Sequence, residues 1–165
     1  MEKTYKQLIE DYYKYSITKC NAHYRMAETY KARHRTFGTI VVVVTALVGT
    51  SVFSTLSGST NATIQIATSI LSVVAVVLAA LQTFLGFSDL QAQHKMAGVS
   101  YSQIRRDIDL LNAKYPKGKG GAGTPEMTEL VSIKKHLDDI DNASPTIPDK
   151  VWDRAWKAIS KKYSK

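Results

Sequence analysis

Apolar residues recur along this chain in distinct rhythms, and each rhythm predicts a different kind of helix. Within residues 4–35, Tyr13, Ile17, Cys20, Tyr24 and Ala27 alternate at spacings of four and three, the repeat of one face of a packed helix. No Pro or Gly precedes Gly38, so this helix is expected to run unbroken into the segment that follows. From Thr36 to Ser88 the rhythm gives way to continuous apolar, small or uncharged positions, with no Asp, Glu, Lys, Arg or His. A helix of a soluble protein must show one face to water and carries charge there. So long a charge-free stretch reads instead as two passes through a bilayer, over residues 37–56 and 64–87, joined by the short link 57–63. Twenty helical residues at 1.5 Å each reach roughly 30 Å, the hydrocarbon thickness of a membrane. The many Val and Ile would favour strands in water, but a lone span in lipid must satisfy its own backbone hydrogen bonds and is therefore helical.

Past the second span the alternation returns in Leu90, His94, Ala97, Tyr101, Ile104, Ile108, Leu111 and Tyr115. It predicts that the second span continues as a helix to about Tyr115, and that this extension pairs with the first helix as an antiparallel stalk. The stalk-packing residues are expected to be Tyr13, Ile17, Tyr24, Tyr101, Ile104, Ile108 and Leu111. Pro116 ends that helix and residues 116–125 form a Gly-rich linker. Thr124-Pro125-Glu126 supplies a capping hydroxyl, a proline suited to a first helical position and an acid in the first turn. The next helix carries Met127, Leu130, Val131, Leu137 and Ile140 on its apolar face. Ser144-Pro145-Thr146-Ile147-Pro148 breaks it, and a last helix aligns Trp152, Ala155, Trp156, Ile159 and Tyr163. The predicted fold is an all-α membrane protein: a two-helix transmembrane hairpin (36–88), long cytosolic helical extensions (1–35 and 89–115) and two short C-terminal helices (126–165). No strand is predicted.

Charge fixes the expected orientation. Lys19, Arg25, Lys31, Arg33 and Arg35 precede the first span, Lys95, Arg105 and Arg106 follow the second, and the link between the spans has no basic residue. The positive-inside rule then places both termini in the cytoplasm. The net charge of +8 divides evenly between the two flanks, a pattern unlike a concentrated nucleic-acid patch, and no direct nucleic-acid binding is expected. A single cysteine, Cys20, excludes an internal disulfide framework and a Cys-based zinc site. A long polar segment before the first apolar run argues against a signal peptide.

Candidate chemistry is sparse. Gly118, Gly120 and Gly123 spell a dinucleotide-binding pattern, but a helix and a proline precede them where a strand is required, so they read as linker. The four histidines, His23, His34, His94 and His136, lie apart in sequence with none at metal-ligand spacing. Asp138, Asp139 and Asp141 read as solvated surface. Neither a catalytic constellation nor a metal or cofactor site is expected. The spans are more informative. Ala46, Thr50, Ser54 and Gly58 recur every four residues, as do Thr45 and Gly49, Thr68 and Ser72, and Ala75, Ala79 and Thr83. Small residues at this spacing let helices approach closely in lipid, and Gln65 and Gln82 demand polar partners or water there. Two helices have only one mutual interface, so small residues on several faces point to a homo-oligomer. Thr45, Ala46, Gly49, Thr50, Ser54, Ser72, Ala75, Ala79 and Gln82 are the candidate packing or pore-lining residues. Arg33, His34, Arg35, His94 and Lys95 are placed at the cytosolic mouth.

Taken together, a Tyr-rich helix running into Arg33-His34-Arg35-Thr36, the span containing Ala46-Leu47-Val48-Gly49-Thr50-Ser51, a second span, His94-Lys95-Met96-Ala97 with Tyr101, and an Ile147-Pro148 segment resemble the SLATT domain. That family comprises two-transmembrane effectors associated with SMODS nucleotide synthases and SLOG nucleotide sensors. The resemblance implies a pore-forming effector of a bacterial antiviral system that kills the infected cell, an abortive-infection outcome, by breaching its inner membrane. It also implies a partner from the same system, a cytosolic sensor, nucleotide synthase or reverse transcriptase, because no sensor domain is recognised in the chain itself. The competing expectation is a membrane-anchored scaffold that recruits a cytosolic defence enzyme.

Overall fold

The computed structural model describes residues 5–56, 61–115 and 127–163, apart from the side chains of Ser54, Thr55, Leu56 and Met127. Five helices follow one another: α1 (Tyr5–Leu56), α2 (Ala62–Phe84), α3 (Phe87–Lys114), α4 (Met127–Ala143) and α5 (Asp149–Tyr163). No strand occurs among the described residues. Most of the link between the spans and the whole of the Gly-rich linker, with Gly58, Gly118, Gly120, Gly123 and the expected Thr124 cap, lie outside the described residues. The chain divides into two compact units, one of residues 1–28 with 91–165, the other of residues 29–90.

The first unit is a helical bundle with an ordinary apolar core. Ile9, Cys20, Ala97, Tyr101, Ile104, Ile108, Leu111, Leu130, Leu137 and Ile140 are buried together, drawn from α1, α3 and α4. Gly98 brings α3 close to α1: a Cβ there would stand 3.3 Å from the Tyr24 ring. On another side of α1 lies α5, with Tyr13 edge-on to Tyr163 at 5.8 Å and Tyr15 against Trp152 at 5.7 Å. Ser16, Thr18, Ala22 and His23 are buried as well as the anticipated stripe, His23 against His94 and Tyr101 of α3. Val131 and Trp156, read from sequence as part of the apolar faces, are instead exposed. Pro148 immediately precedes α5, its carbonyl accepting from Val151 and Trp152 backbone N–H groups at 2.9 and 3.1 Å. Asp149 in the first turn and Lys161 and Lys162 in the last complement the helix dipole.

The second unit is the α1–α2 hairpin together with the start of α3. Asn61 precedes α2 in an extended conformation and its carbonyl accepts from Ile64 and Gln65 at 2.9 and 3.3 Å. One expectation is corrected at the other end. The second span and α3 are two helices, not one: α2 ends at Phe84, and Gly86 adopts a left-handed φ of 51° before α3 begins. Lacking a Cβ, glycine takes this conformation without steric cost, which makes it the common helix terminator. Leu85 still donates to Leu81 O at 2.9 Å, and Leu90 donates to Gly86 O at 3.0 Å to open the next helix. Immediately after the break Phe87 is buried against Tyr30 and Phe37 of α1, at ring separations of 6.2 and 5.6 Å.

Candidate functional site

The hairpin buries one seam and leaves the rest of its surface bare. Phe37, Gly38, Val41, Val44, Val48 and Ser51 are half-buried on α1, matched on α2 by Thr68, Leu71, Ser72, Ala75, Leu78 and Gln82. The close approach along this seam belongs to Gly38: a Cβ there would lie 3.5 Å from the Gln82 side-chain nitrogen. No residue of α2 is fully buried. Val42, Phe53, Val73, Val76 and Phe84 are each at least 65% exposed. An apolar surface so extensive has no place in water. Among the described residues two helices are long and apolar enough to cross a membrane, and the most apolar window of each is unburied. The core helix of a soluble protein would be mostly buried.

Hydroxyl groups on the spans are tied to their own helices. Thr45 donates to Val41 O at 2.7 Å, Thr50 to Ala46 O at 2.9 Å and Ser72 to Thr68 O at 2.8 Å. Such back-bonding satisfies the polar proton where water is absent. Of the residues expected to pack helices or line a pore, Ser72, Ala75 and Gln82 lie half-buried along the seam, whereas Thr45, Ala46, Gly49, Thr50 and Ala79 face outward. A Cβ added at Gly49 would meet nothing within 4 Å. The Ser54 side chain lies outside the described set. Near the start of the first span Arg33 sits over the Tyr30 ring at 5.8 Å; Arg33 and Arg35 are exposed and His34 is half-buried.

The bundle holds polar contacts that sequence spacing did not reveal. His94, expected at the cytosolic mouth, is 1% exposed and pairs with the fully buried His23, their Nδ1 atoms 2.9 Å apart. Lys95 beside it is exposed. His23 stacks on Tyr101 at 5.4 Å, and the Tyr101 hydroxyl donates to Asp141. Tyr15 donates to the other Asp141 oxygen at 2.8 Å, and Lys19 pairs with the same carboxylate at 3.1 Å. Lys19 also lies over the rings of Tyr15, Tyr101 and Trp152 at 5.3, 5.9 and 5.7 Å. Asp141 is therefore not the solvated surface carboxylate that its acidic neighbours suggested. Burial by itself would raise its pKa, but hydrogen bonds from Tyr101, Tyr15 and Lys19 outweigh it and hold the carboxyl below its usual range. Burial and the bond to Asp141 push both tyrosine hydroxyls up. Burial, then the neighbouring His94, then Lys19 lower His23 to about 4. Three of the stalk residues read from sequence, Tyr101, Ile104 and Ile108, are fully enclosed in this bundle; Ile17 and Leu111 are buried, Tyr13 is half-buried and Tyr24 is 38% exposed. Among the described residues no cluster of three or more His, Cys, Asp or Glu is placed to hold a metal ion.

Two apolar helices without cover, joined to a polar helical bundle, define a two-span membrane protein. Residues 5–113 match the family model described as SMODS and SLOG-associating 2TM effector domain family 4, and the chain belongs to that family. The match takes in α1, α2 and nearly all of α3, while α4 and α5 lie beyond it. No curated protein and no solved structure matches the chain.

Proposed function

We propose that this chain is an oligomeric effector of a bacterial conflict system that breaches the inner membrane when a partner from the same system signals invasion. Its action is physical, not catalytic. In this reading both termini are cytoplasmic, the hairpin spans the membrane, and the signal comes in trans from a sensor, nucleotide synthase or reverse transcriptase. The observation that carries the reading is the outward strip of Thr45, Ala46, Gly49 and Thr50. Glycine in mid-helix costs roughly 1 kcal/mol against alanine on water-based scales. Among the described residues nothing approaches Gly49 to use the space it leaves. Close packing by a second copy in lipid gives that space a use.

The test is leakage of a trapped dye from liposomes carrying the purified protein. Wild type is expected to leak, with its partner's signal supplied if needed. Gly49→Leu is expected to insert, because leucine is apolar and its Cβ would meet nothing within 4 Å among the described residues, and to lose both oligomer and leakage. Wild-type leakage from Gly49→Leu would contradict the packing role. A scaffold that only recruits an enzyme is favoured by one observation: the hydroxyl protons of Thr45 and Thr50 are taken by backbone carbonyls and are not free to line a wet path. Wild-type protein that never leaks, even with its partner active, would support that second reading.

A further inference from the structure

The His23–His94 pair has a geometry that limits how many protons it can hold. At an Nδ1–Nδ1 separation of 2.9 Å, one ring must present N–H and the other a bare lone pair, so the contact holds a single shared proton. A second proton at this contact would set two N–H groups head to head. Charging His23 alone is also unfavourable, since its Nε2 is buried and finds no hydrogen-bond partner among the described residues. The groups that bear on the pair come from three helices. Lys19 lies on α1 about one turn before His23, Tyr101 stacks on it from α3, and Asp141 reaches toward it from α4 through the Tyr101 hydroxyl. The nearby positive charge of Lys19 opposes protonation and the more remote Asp141 carboxylate favours it, with desolvation the largest influence. His94 is likewise lowered by desolvation.

The geometry points to a proton-operated joint: the neutral His23–His94 pair closes the contact between α1 and α3, and charging both rings forces it open. The joint is a property of the helical bundle alone and does not depend on whether the hairpin conducts. Because His23 stacks on the same Tyr101 that holds Asp141, opening is transmitted to the site where α4 is docked. The sign follows from the pKa values. An unfolded histidine titrates near 6.5 and the paired His23 near 4, so the opened state binds more protons as pH falls below 6.5. The ratio of opened to closed bundle then rises about tenfold per pH unit for each histidine, between 6.5 and its native pKa. Asp141, held below the ordinary carboxylate range, stays ionised above pH 5 and does not contribute there.

The experiment uses the full chain in detergent micelles. Thermal unfolding is followed by tryptophan fluorescence at pH 7.5 and pH 5, for wild type and for the double variant His23→Asn/His94→Asn, whose amides keep a hydrogen bond but do not titrate. The wild-type melting temperature is expected to fall on acidification and that of the double variant to stay level. An unchanged wild-type melt, or an equal fall in the variant, would overturn the joint. In parallel, deuterium exchange at the imidazole C2 positions of wild type, read peptide by peptide, reports each histidine directly. Slow exchange with midpoints below 6.5 is expected for His23 and His94. Ordinary midpoints with unhindered exchange would refute the proposal, even if the double variant failed to fold.

Discussion

Asp141 shows how one residue can organise the contact of three helices. Its carboxylate accepts from Tyr15 on α1 and Tyr101 on α3, pairs with Lys19, and itself belongs to α4. A partly buried carboxylate with three charge-assisted or phenolic partners is worth more than an exposed ion pair. Asp141→Asn keeps the size, removes the charge and is expected to destabilise the bundle by about 1–3 kcal/mol, measured by thermal or urea unfolding. Since its native pKa is lowered, the charge-dependent part of that stability is present above the unfolded value and is lost as pH falls through the native one. Wild type and Asp141→Asn should therefore differ near neutrality and converge in strong acid; a constant gap would assign the loss to shape instead. Sequence alone did not reveal this role. Asp138, Asp139 and Asp141 are chemically alike as letters, and only the path of α1 past the end of α4 separates the half-buried third from its exposed neighbours. The histidine pair was hidden for the same reason: His23 and His94 lie 71 positions apart, and antiparallel helix pairing is what sets them face to face.

At the scale of the elements, periodicity was a good guide wherever one face of a helix decides its place. The four-and-three alternation of α3 picked out Tyr101, Ile104 and Ile108, all completely buried. For α1 it picked out half of the story, because a helix with neighbours on two sides buries Ser16, Thr18 and Ala22 as well, and an amphipathic pattern has no way to announce a second buried face. The break at Gly86 was also missed. An isolated glycine inside an apolar run is compatible with a continuous helix, and only the positive φ distinguishes a terminator from a packing residue. Within the hairpin it is Gly38, which the small-residue spacing does not single out, that meets α2, through Gln82. Burial of Ile108 inside the chain's own bundle gives the prediction at this scale. Ile108→Asp puts an unpaired carboxylate in an apolar site and is expected to cost several kcal/mol, unfolding the bundle before any change in assembly. Helical circular dichroism and protease resistance check it; a folded, protease-resistant variant would mean that the bundle core is looser than the packing of Ile104, Ile108 and Leu111 indicates.

For the molecule as a whole, the separation of charge was the most legible feature. A segment without a charged residue from Thr36 to Ser88 has few physical explanations, and helices whose apolar surface stays uncovered agree with the lipid one. The family match makes the chain a two-transmembrane effector domain associated with SMODS and SLOG systems. What periodicity and charge do not encode is the occupant of the outward strip around Gly49, since lipid and a second helix make the same demand for apolar, small side chains. The central claim, a hairpin crossing the bilayer with both flanks on the cytoplasmic side, is tested most directly by cysteine labelling in intact spheroplasts. Native Cys20 is unsuitable because it is buried, and burial pushes its thiol pKa up, so it would resist labelling from either side. Exposed positions serve better: Asn61→Cys, before α2, and Lys157→Cys, on α5, each in a Cys20→Ser background. A membrane-impermeant maleimide is expected to label position 61 in intact spheroplasts and position 157 only after lysis. Labelling of position 157 before lysis, with position 61 protected, would contradict the account.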